Sequence, residues 1–290
     1  MMETSQQAPT AAPQTAVIIP HLDRLADTAA CCASLAAQTR APALVLVVDN
    51  GSRAHSEHEL AAACLTAQIL RLDTNRGFAG GVNAGIRRAR GNPAIRYIWV
   101  LNNDTICPPD TLQKLEDRLA AHEQLGMLGC PLQEGPAEQP RHVSAARKLA
   151  RPGMRPVPAK NTSDFDYLSG ASLFIRRNVL EDVGLFDERF FFFFEDADFS
   201  RRVRQRGWQL AVAEDAPIVH RGSATIRHLT ELQSYYYRLG HVRYVRKYAR
   251  FPLATALPPF IFRLLAEACR FRWAALRGNG RGWRDGWRNG

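Results

Sequence analysis

The sequence predicts an α/β protein with a mostly parallel central sheet flanked by helices. Three observations predict it. Short, continuous apolar runs recur between residues 16 and 101, as expected of strands covered on both faces. Stretches with helical spacing of Leu and Ala separate them. Each run ends at Pro, Asp or Asn, residues that turn a chain out of a strand. A β-α-β-α order of this kind gives a parallel sheet with helices on both sides. Ligands of such sheets bind beyond the carboxyl ends of the strands, so chemistry is sought there.

In chain order, residues 1–15 read as a flexible lead-in, polar and rich in Ala, Gln, Thr and Pro. Residues 16–20 (AVIIP) are the first strand and 24–37 a helix. Residues 43–48 (ALVLVV) are a buried strand, 55–66 a helix and 68–72 a strand. A Gly-rich loop follows, then a helix over 82–90 and a strand over 96–101 (RYIWVL). Pro108 and Pro109 open a helix over 109–122, with Leu112, Leu115 and Leu119 on one face. Residues 134–163 hold five prolines and little periodicity, and read as a long variable loop. Order returns at 167–176 (YLSGASLFIR). A Phe-dense run, 186–194, leads into a helix from Glu195 to about Gln205, with short strands at 209–213 and 217–219. Residues 231–290 read as basic helices. The expected organisation is a lead-in, a main domain over 16–230 and a basic helical extension.

Composition narrows the class. Of 290 residues, 46% are hydrophobic and 23% charged, enough to build a core. That excludes a disordered chain, a collagen and a small disulfide scaffold. No run of about 18 apolar residues predicts a membrane-spanning helix. The net charge is +10, yet residues 231–290 carry 12 Arg/Lys and 3 acids, so the first 230 residues are nearly neutral. Any function of the basic surface is therefore expected to be separable from the main domain. The six cysteines form no CxxC pair and mostly lie in apolar patterns, where free Cys packs as a small hydrophobe. With no secretory signal at the start, a reduced cytoplasmic compartment is the expectation.

Four groups stand at predicted strand ends or helix starts: Asp49 in VVDNGS, Asp104 in LNNDT, Asp196 in FEDADF and His220 in VHRGS. Each alone has an ordinary explanation, as a turn former, a helix-start acid or a structural histidine. Together they fall where an open α/β sheet has its crevice. The stretch NRGFAGGVNAG, residues 75–85, lies between a strand and a helix, where backbone N–H groups approach anions. It lacks a P-loop ending and does not follow the first strand as a dinucleotide fingerprint does.

VVDNGS, NRGFAGGVNAG, LNNDT, LSGASLFIRR, GLFDERFFFFFEDADFSRRVRQRGW and VHRGS, in this order over about residues 16–222, resemble inverting family 2 glycosyltransferases of the rhamnosyltransferase-like kind, with a GT-A fold. More weakly, the terminal GWRDGWR (282–288) is similar to the ends of such proteins. The resemblance implies a nucleotide-diphosphate sugar donor, dTDP- or UDP-linked, and Mg2+ or Mn2+ to offset the charge of the leaving diphosphate. It implies Asp104 and His220 as metal ligands, with Asn102 standing where the family's motif has its first Asp. Asp49 matches the nucleoside contact. Pro20, followed by His21 and Asp23, matches the nucleotide-edge loop. Asn75, Gly77, Gly80, Gly81 and Asn83 line the nucleotide and diphosphate side in this reading, Asn102 and Asn103 the donor, and Gly170 and Ala171 the sugar or acceptor. Asp196 is the implied base, with Glu195 beside it. Asp198 reads as a structural acid, and Arg202 as a brace for the carboxylate or the diphosphate. The QxxRW pattern of processive synthases is absent, which points to transfer of one or a few sugars, rhamnose by family likeness.

The acceptor implied is a cell-envelope glycan or a lipid-linked intermediate. In the tail, Phe260, Phe262, Leu264, Leu265, Trp273, Leu276, Trp283 and Trp287 alternate with arginines, as in a helix lying on an anionic membrane. The alternatives are a helical face packed on the domain or on a second copy in a homo-oligomer, and nucleic-acid binding, which ranks lower because no nucleic-acid motif accompanies the charge. The rival among enzymes is a sugar-phosphate nucleotidyltransferase, and the rival from another class is a basic membrane- or nucleic-acid-binding module with a degenerate enzyme core.

Overall fold

Uncharged Val, Ile and Leu runs make the centre of the sheet, because only such strands can be covered on both faces. The computed structural model describes residues 12–135, 141–221 and 231–288. β1 (Thr15–His21), β2 (Leu44–Asp49), β3 (Gln68–Arg71) and β4 (Tyr97–Leu101) alternate with α1 (Leu25–Ala36), α2 (Glu57–Ala63) and α3 (Gly77–Arg90). β5 (Thr105–Ile106), α4 (Thr111–Ala121), β6 (Leu125–Gly129) and β7 (Leu132–Glu134) follow. Next come β8 (Arg141–Val143), β9 (Ala146–Ala150), β10 (Arg155–Pro158), β11 (Tyr167–Leu168), β12 (Ser172–Arg176) and α5 (Arg177–Val183). α6 (Glu195–Gln205), β13 (Gln209–Val212), β14 (Ile218–His220), α7 (Glu231–Tyr248), α8 (Pro252–Cys269) and α9 (Trp273–Arg288) complete the chain.

The seven-stranded sheet runs β13-β6-β12-β4-β1-β2-β3. β1, β2, β3 and β4 are parallel, as expected, while β12 lies antiparallel between β4 and β6. Two apolar layers cover its faces, one including Trp99, Leu115 and Phe174, the other Ile18, Val82 and Phe199. Five cysteines pack as buried small hydrophobes and Cys269 is exposed.

Two sequence expectations change, and a third lies mostly outside the described residues. In the segment read as a loop over 134–163, the described residues hold β8, β9 and β10, and β9 pairs with both β10 and β11. Of its described prolines, Pro152 lies in the β9–β10 turn and Pro156 and Pro158 on the edge strand β10, positions that do not need the missing N–H. The Gly-rich stretch is not a loop before a helix; α3 already begins at Gly77. Most of the predicted lead-in, residues 1–11, lies outside the described residues, and β1 starts at Thr15.

Many contacts cross the expected boundary at 230/231. Phe194 packs on Tyr237, His241 and Tyr244 of α7. Lys247 and Tyr248 donate to Asp198 at 2.6 and 2.8 Å. α9 packs close to α7 because Gly278, Gly282 and Gly286 repeat every fourth residue: a Cβ at Gly282 would lie 2.4 Å from the Tyr235 carbonyl oxygen. Part of the tail's charge is thus internal, since Arg238 is buried against Asn279 and His241.

Candidate active site

The carboxyl ends of β1 and β2 meet side by side, with His21 paired in register to Asp49. Asp49 is fully buried and its Oδ1 accepts the Ser52 N–H at 2.9 Å. Arg71 Nη1 lies 2.9 Å from Oδ2 but off the hydrogen-bonding direction, so this buried oxygen keeps an acceptor site. Burial pushes the His21 imidazole down to about 4, so it is neutral, bonded to Thr28 and to His55. Pro20 precedes it at the end of β1.

Asn50, which lies in the VVDNGS motif but has no role in the sequence analysis, holds the start of α3. Its Oδ1 accepts the Arg76 N–H at 2.9 Å and its Nδ2 donates to the Gly77 carbonyl at 2.8 Å. Asn75 Oδ1 accepts the Gly77 N–H at 2.8 Å. Gly77 has φ +72°, and a Cβ there would meet the Phe191 carbonyl oxygen at 2.2 Å. Gly81 packs against the Asn50 amide, and Gly80 against Arg76. Asn83 is a correction: its amide is used up bridging α3 to the Phe186 backbone and Glu188, so it is a structural link rather than a lining residue.

At the end of β4, the Asn102 N–H donates to the Ala171 carbonyl and Asn103 Nδ2 donates to Thr28 Oγ1, both at 2.9 Å. β14 pairs antiparallel with β5, placing His220 opposite Thr105. This brings His220 Nε2 to 3.2 Å from Asp104 Oδ1 across more than a hundred residues of chain. Both side chains are nearly buried. Nε2 makes no hydrogen bond among the described residues, despite that approach. On the other side of the ring, Nδ1 lies 3.3 Å from Glu134 Oε1. Burial opposes charging of His220, but the Asp104 and Glu134 carboxylates outweigh it and raise its pKa.

This geometry fits a divalent cation. Two donors each about 2.1 Å from one ion and at right angles stand about 3 Å apart. An imidazole nitrogen 3.2 Å from a carboxylate oxygen matches that, and Glu134 on Nδ1 fixes which nitrogen faces inward. Among the described residues no cluster of three or more His, Cys, Asp or Glu is arranged to hold a metal alone. A two-residue set suits an ion that also binds substrate phosphates and water.

At the start of α6, Phe193 and Phe194 take the left-handed conformation, φ 70° and 71°, costly for residues with side chains. They deliver Glu195 and Asp196. Asp196 is half-buried; Gly170 N–H donates to its Oδ2 at 3.0 Å and Ala197 N–H to its Oδ1 at 2.8 Å. Burial raises its pKa, while those N–H groups and nearby Arg147 act the other way. Glu195 is buried with Oε2 unpartnered, and burial and the Asp196 charge hold its pKa well up. Arg202 is a second correction. Its guanidinium donates to Asp198 and to the Val183 and Leu185 carbonyls, so it ties α6 to the preceding loop.

One chain of contacts links these groups: His220 beside Asp104, Asn102 bonded to Ala171, Gly170 bonded to Asp196. Shallow cavities of about 300 and 280 Å3 lie elsewhere, at the amino ends of β2 and β3. Placement at strand ends, rather than cavity size, therefore marks the site. Sequence reasoning missed Asn50, Glu134 and Arg147. Asn50 sat inside a quoted motif; the other two fell in or at the edge of the segment read as a loop.

The mixed α/β sheet, with acids, a histidine and a Gly-rich helix start at its carboxyl ends, has the architecture of the GT-A glycosyltransferases. Residues 16–184 match the model of glycosyl transferase family 2, more than half of the chain, and the protein belongs to that family. It is an enzyme, a rhamnosyltransferase-like glycosyltransferase. Over 226 residues it is 26% identical to the N-acetylglucosaminyl-diphospho-decaprenol L-rhamnosyltransferase of Mycobacterium tuberculosis, covering 69% of this chain and 72% of that one. It is 24% identical over 184 residues to the low-salt glycan biosynthesis hexosyltransferase Agl10 of Haloferax volcanii, covering 60% and 58%. Its fold is similar to that of the mannosyltransferase PcManGT from Pyrobaculum calidifontis, a structure in complex with GDP-Man and Mn2+, at TM-score 0.59, 17% identity and coverage of 97% and 77%. It is also similar to S. aureus TarS, at TM-score 0.54 and 16% identity, where the match covers 83% of this chain but 41% of that one.

Proposed function

We propose that the protein transfers a sugar, rhamnose by family likeness, from a dTDP- or UDP-linked donor to a hydroxyl of a cell-envelope glycan or lipid-linked acceptor, with inversion. The carrying observation is the contact chain from His220 and Asp104 through Asn102, Ala171 and Gly170 to Asp196. The names of the relatives support the reading: one is a rhamnosyltransferase whose name includes a diphospho-decaprenol, another a hexosyltransferase of glycan biosynthesis.

Asp49 Oδ2, an open buried acceptor, takes a donor N–H or O–H of the nucleoside. Asp104 and His220 hold Mg2+ or Mn2+. When bound, the ion supplies positive charge against the diphosphate of the donor. Asp196 accepts the acceptor's hydroxyl proton as that oxygen bonds the anomeric carbon and the bond from that carbon to the diphosphate oxygen breaks. A raised pKa suits this work, because burial makes a carboxylate a stronger base than one in water, while the two backbone N–H groups moderate the rise and fix its orientation. Burial and the Asp196 charge push the Glu195 carboxyl beside it toward its protonated form. Arg147, on β9 opposite Tyr167, adds positive charge that opposes the raised pKa of Asp196. The expected place of action is the cytoplasm, at the membrane surface.

A thermal-shift screen of nucleotide sugars with and without Mn2+ tests the reading. A dTDP- or UDP-sugar is expected to raise the melting temperature only with the ion, and Asp104→Asn or His220→Asn to remove that effect. Equal stabilisation of wild type and both variants would refute the metal assignment. Stabilisation by none of the nucleotide sugars would refute the donor class.

A further inference from the structure

The outer face of α8 is apolar from end to end. Leu253, Leu257, Ile261 and Leu265 recur every fourth residue and are 38–61% exposed; Phe262 beside them is 68% exposed. The helix has two charged residues, Arg263 and Glu267, and they pair with each other at 2.7 Å with Glu267 fully buried. This inverts the polarity of an ordinary surface helix, whose charges face water. Among the described residues, eight of the thirteen large apolar side chains left exposed lie between 251 and 273, so the patch is contiguous rather than scattered.

The inner side of α8 is firmly held. Phe260 stacks on Trp283 of α9 with ring centres 4.1 Å apart, and Pro259 packs so tightly on Gly153 that a Cβ there would lie 2.9 Å from its ring. The aromatic residues expected to meet a membrane are thus divided: Phe260, Trp283 and Trp287 stack within the helical layer, while Phe262 and Trp273 face outward.

Charge at the two ends identifies what covers the face. Arg250 lies before the helix and Arg270 and Arg272 after it, with exposed Phe251, Phe271 and Trp273 among them. The only acid between residues 249 and 276 is the buried Glu267. A partner must therefore be apolar across the middle and anionic at the edges. A second copy of the chain would set these arginines against like charge and offer no polar pair in the centre to fix its register. No helix of the described residues is long and apolar enough to cross a membrane.

We propose that α8 is a bilayer-docking helix, lying in the plane of an anionic membrane with its leucine face in the acyl boundary and its flanking arginines on lipid phosphates. The purpose of this surface rests on the lipid-linked acceptor reading. Through Pro259 on Gly153, α8 is tied to the β9–β10 turn, and β11 beside β9 leads directly to Gly170 and Asp196. Docking by α8 would hold the base near a lipid-borne hydroxyl.

Vesicle sedimentation of the full chain tests it, using phosphatidylcholine alone and phosphatidylcholine with 30% phosphatidylglycerol. Wild type is expected to sediment with the anionic vesicles. Leu257→Gln/Ile261→Gln/Phe262→Ser is expected to lower partitioning by about 100-fold or more, from the apolar area removed. Arg270→Gln/Arg272→Gln is expected to lower it by about 20-fold on anionic vesicles only. Far-ultraviolet circular dichroism melting and Mn2+-dependent nucleotide binding, expected unchanged, show that each variant is folded. Wild type that stays in the supernatant, or a triple variant that sediments like wild type, overturns the proposal. So does a lipid-free dimer that the triple variant converts to monomer, which would make the face a subunit interface. Vesicle binding that persists while no sugar is transferred to any acceptor leaves docking standing and removes the catalytic reading.

Discussion

Two sides of the first turn of α6 carry the same residue type to opposite ends. Asp198 is fully buried and accepts from Arg202 at 2.8 Å, Lys247 at 2.6 Å and the Tyr248 hydroxyl at 2.8 Å. Asp196, two residues earlier, faces two backbone N–H groups and a buried acid. A carboxylate enclosed by donors from three side chains joins parts of the molecule. One in an apolar setting, with its pKa raised, can take a proton. Neighbours supplied by α7 and by the Gly170 turn, not residue type, decide which acid is structural and which is reactive.

Substitutions can break or sharpen this contrast. The largest effect is expected from Asp196→Asn: sugar transfer should fall about 1000-fold with folding unchanged, measured as initial rates beside a melting curve. Retained transfer would put the base elsewhere. Asp198→Ala should do the reverse. It removes the buried acceptor shared by Arg202, Lys247 and Tyr248 and is expected to cost about 3 kcal/mol of stability in urea unfolding. A stable but inactive Asp198→Ala protein would exchange the two roles. Arg202→Gln should cost about 2 kcal/mol through its lost charge-assisted bonds and leave donor binding unchanged in a nucleotide titration. A specific loss of nucleotide affinity would return Arg202 to the donor site.

The smallest effect has a sign set by pH. The carboxyl pKa of Glu195 is raised in the folded state, so its stabilising contribution is complete below the unfolded value and is lost as pH rises through the folded one. Glu195→Gln removes that loss. The variant should gain melting temperature relative to wild type as pH rises above the unfolded carboxyl value, and a difference that does not change with pH would contradict the shift.

Local signals made much of the sheet legible. Uncharged runs located β1, β2 and β4, and their carboxyl ends located Asp49 and Asp104, because strand burial and strand-end turns are written in neighbouring residues. The antiparallel insertion of β12 between β4 and β6 was not legible, since a strand's direction depends on partners far along the chain. Glu134 and Arg147 act through pairings of β7 with β14 and β9 with β11, which no spacing in the sequence encodes. Reading the glycines as a loop missed that Asn50 and Asn75 hold the helix start. The alternation of Arg and aromatic residues in the tail is real, yet it did not separate α9, packed glycine to backbone on α7, from α8, whose apolar face stays open.

The most direct measurement follows Mn2+-dependent dTDP binding and transfer from dTDP-rhamnose in the same preparations of wild type, Asp196→Asn and His220→Asn. With separate tasks at one reaction centre, Asp196→Asn binds nucleotide and ion as wild type does and transfers about 1000-fold more slowly, whereas His220→Asn loses the ion-dependent binding. Normal transfer by Asp196→Asn, or unchanged Mn2+-dependent binding by His220→Asn, would contradict that account.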